Sequence, residues 1–315
     1  MADIAGSLKA LFAALLAVLA TACSTLPAGP QPLEVAPGVY MMPGAPGETS
    51  PANLGRLGNS GFIVGDTGVI AIDTGVSYLH GQALLAAIAR VTDRPVKLAL
   101  ITHTRQEFLF GATAFQERGI PVHMHRRAAQ LMAARCETCL KTLQRTLGPE
   151  ALRGTAVFKP DAVFDADFVT DVIGRPVRVL HFGHSSGPGD IAVLDERTAT
   201  LFAGGLLTVQ RIPDVFDSDL KGWQQALAAL AARAPARIVP GHGPAADARA
   251  IASVQRYLVQ LQTRLIELLG SGTPLSEVPD LAALPEFDTW DQYDLIHRRN
   301  ASVVFLRLER ELLFK

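Results

Sequence analysis

The chain has 315 residues, of which 49% are hydrophobic and 19% are charged, and this balance is that of a globular protein rather than a disordered or fibrous one. Its 29 basic and 30 acidic side chains leave a formal charge of −1, so it has no general attraction for nucleic acids or anionic membranes. Aromatic residues make up only 6%, which disfavours a surface that binds bases or sugars by stacking. We therefore predict no nucleic-acid partner, and the function must be sought in motifs.

The first 22 residues have the pattern of an export signal. Lys9 precedes an uncharged run over residues 11–20, which is too short to span a bilayer permanently, and small residues follow up to Cys23. The stretch Ala20-Thr21-Ala22-Cys23 resembles the lipobox of bacterial lipoproteins, although Leu is more usual at the position of Ala20. We predict a lipoprotein signal over residues 1–22, lipidation of Cys23 and a flexible tether over residues 23–37. An ordinary signal cut nearby and a plain N-terminal anchor are the alternatives.

Residues 38–315 alternate strand-like and helix-like segments without an internal linker, which favours one domain with a largely helical C-terminal part. Strands are predicted, in chain order, over residues 39–42, 61–64, 69–73, 96–101, 120–124, 191–194, 199–202 and 237–239. Helices are predicted over residues 77–91, 110–118, 127–147 and 220–232. Strands followed by helices in each half suggest an α/β (α+β) protein with two sheets packed face to face and helices outside.

Two cysteines, Cys136 and Cys139, lie three residues apart within the predicted helix over residues 127–147. In an oxidising compartment such a pair can close or exchange a disulfide, which makes the two thiols a candidate redox site. Packing thiols without a chemical role are the alternative. Two cysteines alone cannot form a four-ligand zinc site.

Three of the eight histidines, His103, His184 and His242, stand where a strand ends and a glycine-marked loop begins. A single histidine in such a loop is usually a hydrogen-bonded structural residue. Loops at strand ends can nevertheless converge on one cleft, and three histidines in equivalent settings indicate a ligand set.

Several short motifs stand around these histidines in a fixed order. They are Asn59-Ser60-Gly61, Ile72-Asp73-Thr74-Gly75, Ile101-Thr102-His103, Gly183-His184-Ser185, Leu201-Phe202-Ala203-Gly204 and Val239-Pro240-Gly241-His242-Gly243. In order and spacing the chain resembles the metallo-β-lactamase superfamily from about Val35 to the C-terminus. The resemblance implies a four-layer αββα sandwich with metal ions held in loops at one edge of the sheets. The stretch around Arg135, Cys136, Cys139 and Leu140 further resembles exported quinoprotein relay system zinc metallohydrolases, which are found beside PQQ-dependent alcohol dehydrogenases.

The chain departs from the family at its metal motif. The family pattern is His-x-His-x-Asp-His, whereas this chain has His103-Thr104-Arg105-Gln106-Glu107-Phe108, and Gly205 stands where the family has a bridging Asp. Phe108 and Gly205 have no donor atom, and the permanent charge of Arg105 repels a dication. The chain therefore has too few ligands and too little negative charge for a two-metal site.

Two interpretations of this site remain open. In one, His103, His184 and His242 hold a single zinc ion, the most that the site could bind, with Glu107 as fourth ligand or general base. Arg105 then stabilises an anionic substrate or oxyanion. In the other, the guanidinium of Arg105 takes the place of the metal, paired with Glu107 and hydrogen-bonded by the histidines.

The second interpretation predicts an exported accessory of a periplasmic quinoprotein system, held at the membrane by a lipid anchor, with little or no hydrolysis. Its partner is either a small-molecule ligand or a periplasmic quinoprotein. The first predicts a mononuclear zinc-dependent hydrolase of a small ester, thioester or amide. Substrate identity depends on loop conformations that the sequence leaves open.

Overall fold

A computed structural model describes residues 30–313 and contains two β-sheets. The first sheet has seven strands, which neighbour one another in chain order: β1 (Leu33–Ala36), β2 (Val39–Met42), β3 (Ser60–Val64), β4 (Val69–Ile72), β5 (Val96–Ile101), β6 (Val122–His125) and β7 (Ala162–Phe164). Strands β1 to β4 pair antiparallel, and β4 to β7 pair parallel. The carboxyl ends of β4 and β5 therefore meet at the same edge of this sheet.

The second sheet has five strands in the order β12-β11-β10-β9-β8. They are β8 (Phe168–Thr170), β9 (Val177–His181), β10 (Ile191–Asp195), β11 (Thr200–Thr208) and β12 (Arg237–His242). Only β11 and β12 pair parallel in this sheet.

Helices cover the outer faces of both sheets. Those that follow strands of the first sheet are α1 (Tyr78–Val91), α2 (Gln106–Leu109), α3 (Ala112–Gln116) and α4 (Arg126–Leu147). Those of the second half are α5 (Leu220–Ala232), α6 (Arg249–Gly270), α7 (Val278–Leu281) and α8 (Arg298–Leu313), with a 3₁₀ turn at Pro285–Phe287 and a π turn at Tyr293–His297. Within residues 30–313, none of these helices combines the length and the apolar character that a bilayer crossing requires.

Strand alternation produces three apolar layers. In β4, Ile70 and Ile72 face the second sheet and pack with Val179 and Val193, whereas Ala71 faces the helices of its own half. A third cluster lies between the second sheet and helices α5, α6 and α8. The predicted αββα sandwich is therefore confirmed.

Most predicted elements agree with the structure, and the differences are local. Strand β1 was not predicted: residues 33–36, assigned to the tether, pair with β2, so the tether prediction extends too far. The predicted helix over residues 110–118 is the shorter α3, preceded by the separate turn α2. The signal over residues 1–22 and Cys23 lie outside the described residues.

A buried ion pair holds the two sheets together at one end of the sandwich. Arg175 donates from Nε and Nη2 to the carboxylate of Asp195 at the end of β10, both at 2.5 Å. It also donates to the carbonyl oxygens of Val64, at the end of β3, and Pro37. Strands β3 and β10 both end beside this pair. The pair therefore lies at the other end of these strands from Asn59, which precedes β3, and Asp190, which precedes β10.

Candidate functional site

His103 is positioned by a strained residue in the neighbouring strand-end loop. Asp73 follows β4 with a positive φ of 56° and accepts hydrogen bonds from the backbone N–H and the hydroxyl of Thr102, at 2.8 and 2.7 Å. Burial raises the pKa of Asp73 to about 7 against the opposing effect of these bonds. Asp73 therefore fixes the loop after β5 and, with it, the backbone that leads into His103.

The ring of His103 is held by Asp190. Nδ1 of His103 lies 2.6 Å from Oδ1 of Asp190, and both side chains are buried. Burial alone lowers the pKa of His103, but the carboxylate of Asp190 outweighs it and the pKa is raised. The pair fixes the orientation of the imidazole, with Nδ1–H donating to the carboxylate.

Gly205, on β11, leaves room for this ring. A Cβ atom at position 205 would lie 2.5 Å from Nδ1 and 2.7 Å from Cγ of His103. Such distances are far inside van der Waals contact, so the imidazole occupies the space that a side chain at 205 would need.

Phe108 separates His103 from His242. Its fully buried ring contacts both imidazoles edge-on, with centroid distances of 5.7 Å to His103 and 5.3 Å to His242. An apolar ring in this place contributes packing but no donor atom. The two histidines therefore lie on opposite sides of the apolar ring of Phe108.

His242, at the end of β12, binds Glu107. Its Nε2 lies 3.2 Å from Oε1 of Glu107, and both side chains are nine-tenths buried. Burial raises the pKa of Glu107, but the hydrogen bond and charge of His242, the charge of Arg105 and a backbone hydrogen bond together outweigh it and lower this pKa to about 2. Asn59 fixes the loop by donating from Nδ2 to the carbonyls of Pro240 and Gly243, both at 2.8 Å.

Arg105 pairs with Asp214, so the prediction that it pairs with Glu107 is wrong. Nη2 of Arg105 lies 2.7 Å from Oδ2 of Asp214, and Arg299 binds the same carboxylate. Arg105 and Glu107 stand two residues apart at the start of α2, where side chains diverge. Burial raises the pKa of Asp214, but Arg105 and Arg299 outweigh it and hold this pKa below its ordinary value.

His184 does not join the other two histidines. It is exposed, and its Nε2 lies 2.6 Å from the carbonyl oxygen of Asp217, to which it donates. It is not among the residues that line the cavity shared by His103 and His242.

Two cavities meet at Arg105, Glu107 and Asp214. The inner cavity, about 30 Å³, is also lined by His103, Phe108 and His242. The outer cavity, about 370 Å³, is open to solvent and is lined further by residues of α4 and of the loop at 214–217. The inner cavity has room for about one water molecule, whereas the outer one can hold a small organic ligand.

The residues present do not fit a zinc centre in this arrangement. Among residues 30–313, no group of three or more His, Cys, Asp and Glu side chains converges closely enough to hold a metal ion. The predicted ligands His103 and His242 flank Phe108, Glu107 is bound to His242, and His184 points elsewhere. The prediction of a single zinc ion at these residues stays a prediction.

The two cysteines of α4 line the outer cavity. Both are free thiols; Cys136 is buried and Cys139 is partly exposed. They therefore belong to the same region of the molecule as Arg105, although the sequence places them about 30 residues away.

Asp190 and Asp214 are the site residues that sequence reasoning missed. Neither residue was singled out from the sequence, and nothing around Asp214 marked it. The usable signal for Asp190 was chemical: a buried, oriented histidine requires a partner for its second ring nitrogen, and a carboxylate just before a strand is a candidate.

Comparison with known proteins agrees with this architecture. The family model described as the metallo-beta-lactamase superfamily matches residues 54–242. A metallo-beta-lactamase from Pontibacter korlensis is 22% identical with a TM-score of 0.61, over 73% of this chain and 98% of that one. A metallo-beta-lactamase from Erythrobacter litoralis is 18% identical with a TM-score of 0.58, over 73% and 96%.

A third similar structure is the metallo-beta-lactamase FIM-1 from Pseudomonas aeruginosa in its mono-zinc form, 18% identical with a TM-score of 0.56, over 74% of this chain and 97% of that one. At such identities the likeness of these solved structures extends to the fold alone. Among curated proteins, none matches the chain.

Proposed function

This chain belongs to the metallo-β-lactamase superfamily, and from that premise we propose that it is a hydrolase-like protein whose metal site is degenerate and which binds a ligand with little or no hydrolysis. In this proposal it is exported, lipid-anchored through Cys23, and serves as an accessory of a periplasmic PQQ-dependent dehydrogenase system. The packing of Phe108 between His103 and His242 carries the proposal.

The space in which the superfamily holds metal ions is filled by this chain's own side chains. The ring of Phe108 lies between the two histidines, and the ring of His103 covers Gly205. A hydrolytic zinc site needs about three converging protein ligands and an open position for water. The inner cavity does not meet the first requirement, because His103 and His242 lie on either side of Phe108 and His184 does not line this cavity. This favours binding over hydrolysis.

The outer cavity is the proposed ligand pocket. Its lining has three arginines, Arg105, Arg135 and Arg299, against three carboxylates, Glu107, Asp214 and Asp217. Arg105 and Arg299 pair with Asp214, and Arg135 pairs with Asp217. Because these charges are balanced within the wall, the pocket favours a small ligand without net charge.

Zinc content tests this proposal directly. After dialysis against zinc-free buffer, the full chain grown with ample zinc should retain far less than about one Zn²⁺ per chain, because its donors do not converge. Elemental analysis of wild type and His242→Ala should give the same low value. Retention of about one Zn²⁺ per wild-type chain, lost in His242→Ala, would overturn the degenerate-site proposal.

The accessory role rests on sequence features and has its own test. The export pattern and the likeness to quinoprotein relay proteins support it. In a cell with a PQQ-dependent alcohol dehydrogenase, deletion of this chain should lower alcohol-dependent oxygen uptake severalfold, and the wild-type chain should restore it. Cys23→Ser should restore it poorly because the anchor is lost. Oxygen uptake unchanged by the deletion would contradict the role.

A mononuclear zinc-dependent hydrolase of a small ester, thioester or amide is the second candidate. One observation favours it: His103, Glu107 and His242 still line a single cavity. Zinc-dependent turnover of such substrates, together with stoichiometric zinc, would support it over the binding role.

A further inference from the structure

The two cysteines of α4 form a cluster that neither the fold nor the proposed ligand pocket explains. Cys136 and Cys139 are three residues apart, so they lie on the same side of the helix, and both line the outer cavity. Both are free thiols in the structure. Two cysteines that served only as core packing would not be expected to line a cavity that is open to solvent.

The two thiols differ in a way that assigns them different chemical roles. Cys136 is only 2% exposed and packs in the core of the first half, whereas Cys139 is partly exposed at its border. Hydrogen bonding between the two lowers the pKa of Cys139 and raises that of Cys136. The accessible thiol is therefore the better nucleophile, and the buried thiol retains its proton.

We propose that Cys139 and Cys136 form a thiol–disulfide exchange site, which reduces a small organic disulfide that enters the outer cavity. The thiolate of Cys139 attacks one sulfur of the disulfide, so a mixed disulfide forms at Cys139 and one thiolate leaves. The sulfur of Cys136 then attacks Sγ of Cys139 and releases the second thiolate, while the Cys136 proton passes to a departing thiolate. The protein dithiol loses two electrons and becomes a disulfide, and the small disulfide gains them and becomes two thiols.

The cavity is suited to such a ligand. Its volume of about 370 Å³ exceeds that of the inner cavity tenfold, and Leu131 and the 54% exposed Phe216 give it apolar wall. Arg135, the residue before Cys136, lines the same wall and acts electrostatically to lower the pKa of Cys139. An uncharged organic disulfide therefore meets apolar contacts beside an activated thiolate.

Helix geometry favours exchange over a permanent crosslink. Side chains three apart on a helix have Cβ atoms about 5–6 Å apart, whereas a disulfide requires about 3.5–4.5 Å. Closing the bridge within α4 must therefore distort the helix, and a distorted disulfide is readily reduced. The oxidised pair can thus return to the dithiol by the reverse exchange, in which two molecules of a small organic thiol reduce it and become the corresponding disulfide.

Reaction with 4,4′-dithiodipyridine, a small uncharged disulfide that releases a coloured thione, tests the proposal. The full chain is used with Cys23→Ser so that Cys136 and Cys139 are the reacting thiols. This protein should release about two thiones per chain and end as an internal disulfide, because the second thiol resolves the first adduct. Added Cys136→Ser should release about one thione and keep a mixed disulfide at Cys139.

The matched variant Cys139→Ser should react at least about tenfold more slowly than Cys136→Ser, because its remaining thiol is buried. Equal rates for the two variants, or two separate adducts without an internal disulfide, would overturn the proposal. Alkylation of the unsubstituted pair, followed by mass spectrometry of the α4 peptide, gives an answer even if a variant misfolds: Cys139 should be labelled first, and equal labelling contradicts the assignment. Since none of these readouts depends on zinc, the exchange site and the degenerate metal site succeed or fail separately.

Discussion

Replacing Arg175 with Met should lower the free energy of unfolding by about 3–5 kcal/mol, the cost of leaving one buried charge without its partner. Asp195 is fully buried and receives two hydrogen bonds of 2.5 Å from Arg175. The same guanidinium also satisfies the carbonyl oxygens of Val64 and Pro37, so its loss leaves three acceptor groups without a donor from it. Urea unfolding at neutral pH measures the effect.

The double variant Arg175→Met/Asp195→Asn is the matched control, because it also removes the Asp195 charge that Arg175→Met leaves unpaired. It should be more stable than Arg175→Met alone, and a double variant as unstable as the single one would contradict the charge explanation. Burial alone raises the pKa of Asp195, but Arg175 and Thr198 outweigh it and hold the pKa below its ordinary value of 3.8. The contribution of the pair is therefore complete above that pH and is lost as the pH falls through the lowered pKa, so the gap between wild type and Arg175→Met should shrink in acid.

Replacing Phe108 with Ala should also cost about 3–5 kcal/mol, the range for truncation of a fully buried Phe. The ring has no exposed surface and contacts both His103 and His242 edge-on, so its removal leaves a cavity between two polar rings. Thermal and urea unfolding of wild type and variant give the difference.

Phe108→Leu separates the loss of volume from the loss of aromatic contact. It retains most of the apolar bulk and should therefore recover more than half of the stability lost in Phe108→Ala. A Phe108→Ala variant within about 0.5 kcal/mol of wild type would mean that the ring is not packed as described.

Local patterns account for the elements that sequence reasoning placed well. Strand β5 has the predicted bounds, 96–101, because an apolar run between turn residues is a local signal. Helix α1 begins after the capping residue Ser77, whose hydroxyl accepts from the backbone N–H of His80. Strand β1 was missed because its Pro- and Ala-rich surroundings resemble a linker, and its strand conformation depends on pairing with β2.

The candidate site was only half predictable. The residues at the strand ends can be recognised from the local sequence, whereas the side chains that bind them are distant in the chain. His103 and His242 were placed at strand ends from sequence, and both lie there. The carboxylate that holds His103 is 87 residues away, and nothing in the local pattern indicates that pairing. The pairing of Arg105 with Glu107 was predicted wrongly, because the short helix α2, in which residues two apart do not face each other, was not predicted. Only the structure shows that the guanidinium of Arg105 pairs with Asp214 instead.

The fit of His103 over Gly205 constrains the order in which substitutions could be accepted at this edge of the sandwich. An Asp introduced at 205 meets the imidazole at 2.5 Å from its first side-chain atom, while Asp190 holds that imidazole in place. A carboxylate there is therefore incompatible with the present rotamer of His103, however favourable it becomes once the ring has moved. Position 205 therefore accepts only glycine while His103 keeps its present position, and an acidic residue is accepted only after a change elsewhere has released His103.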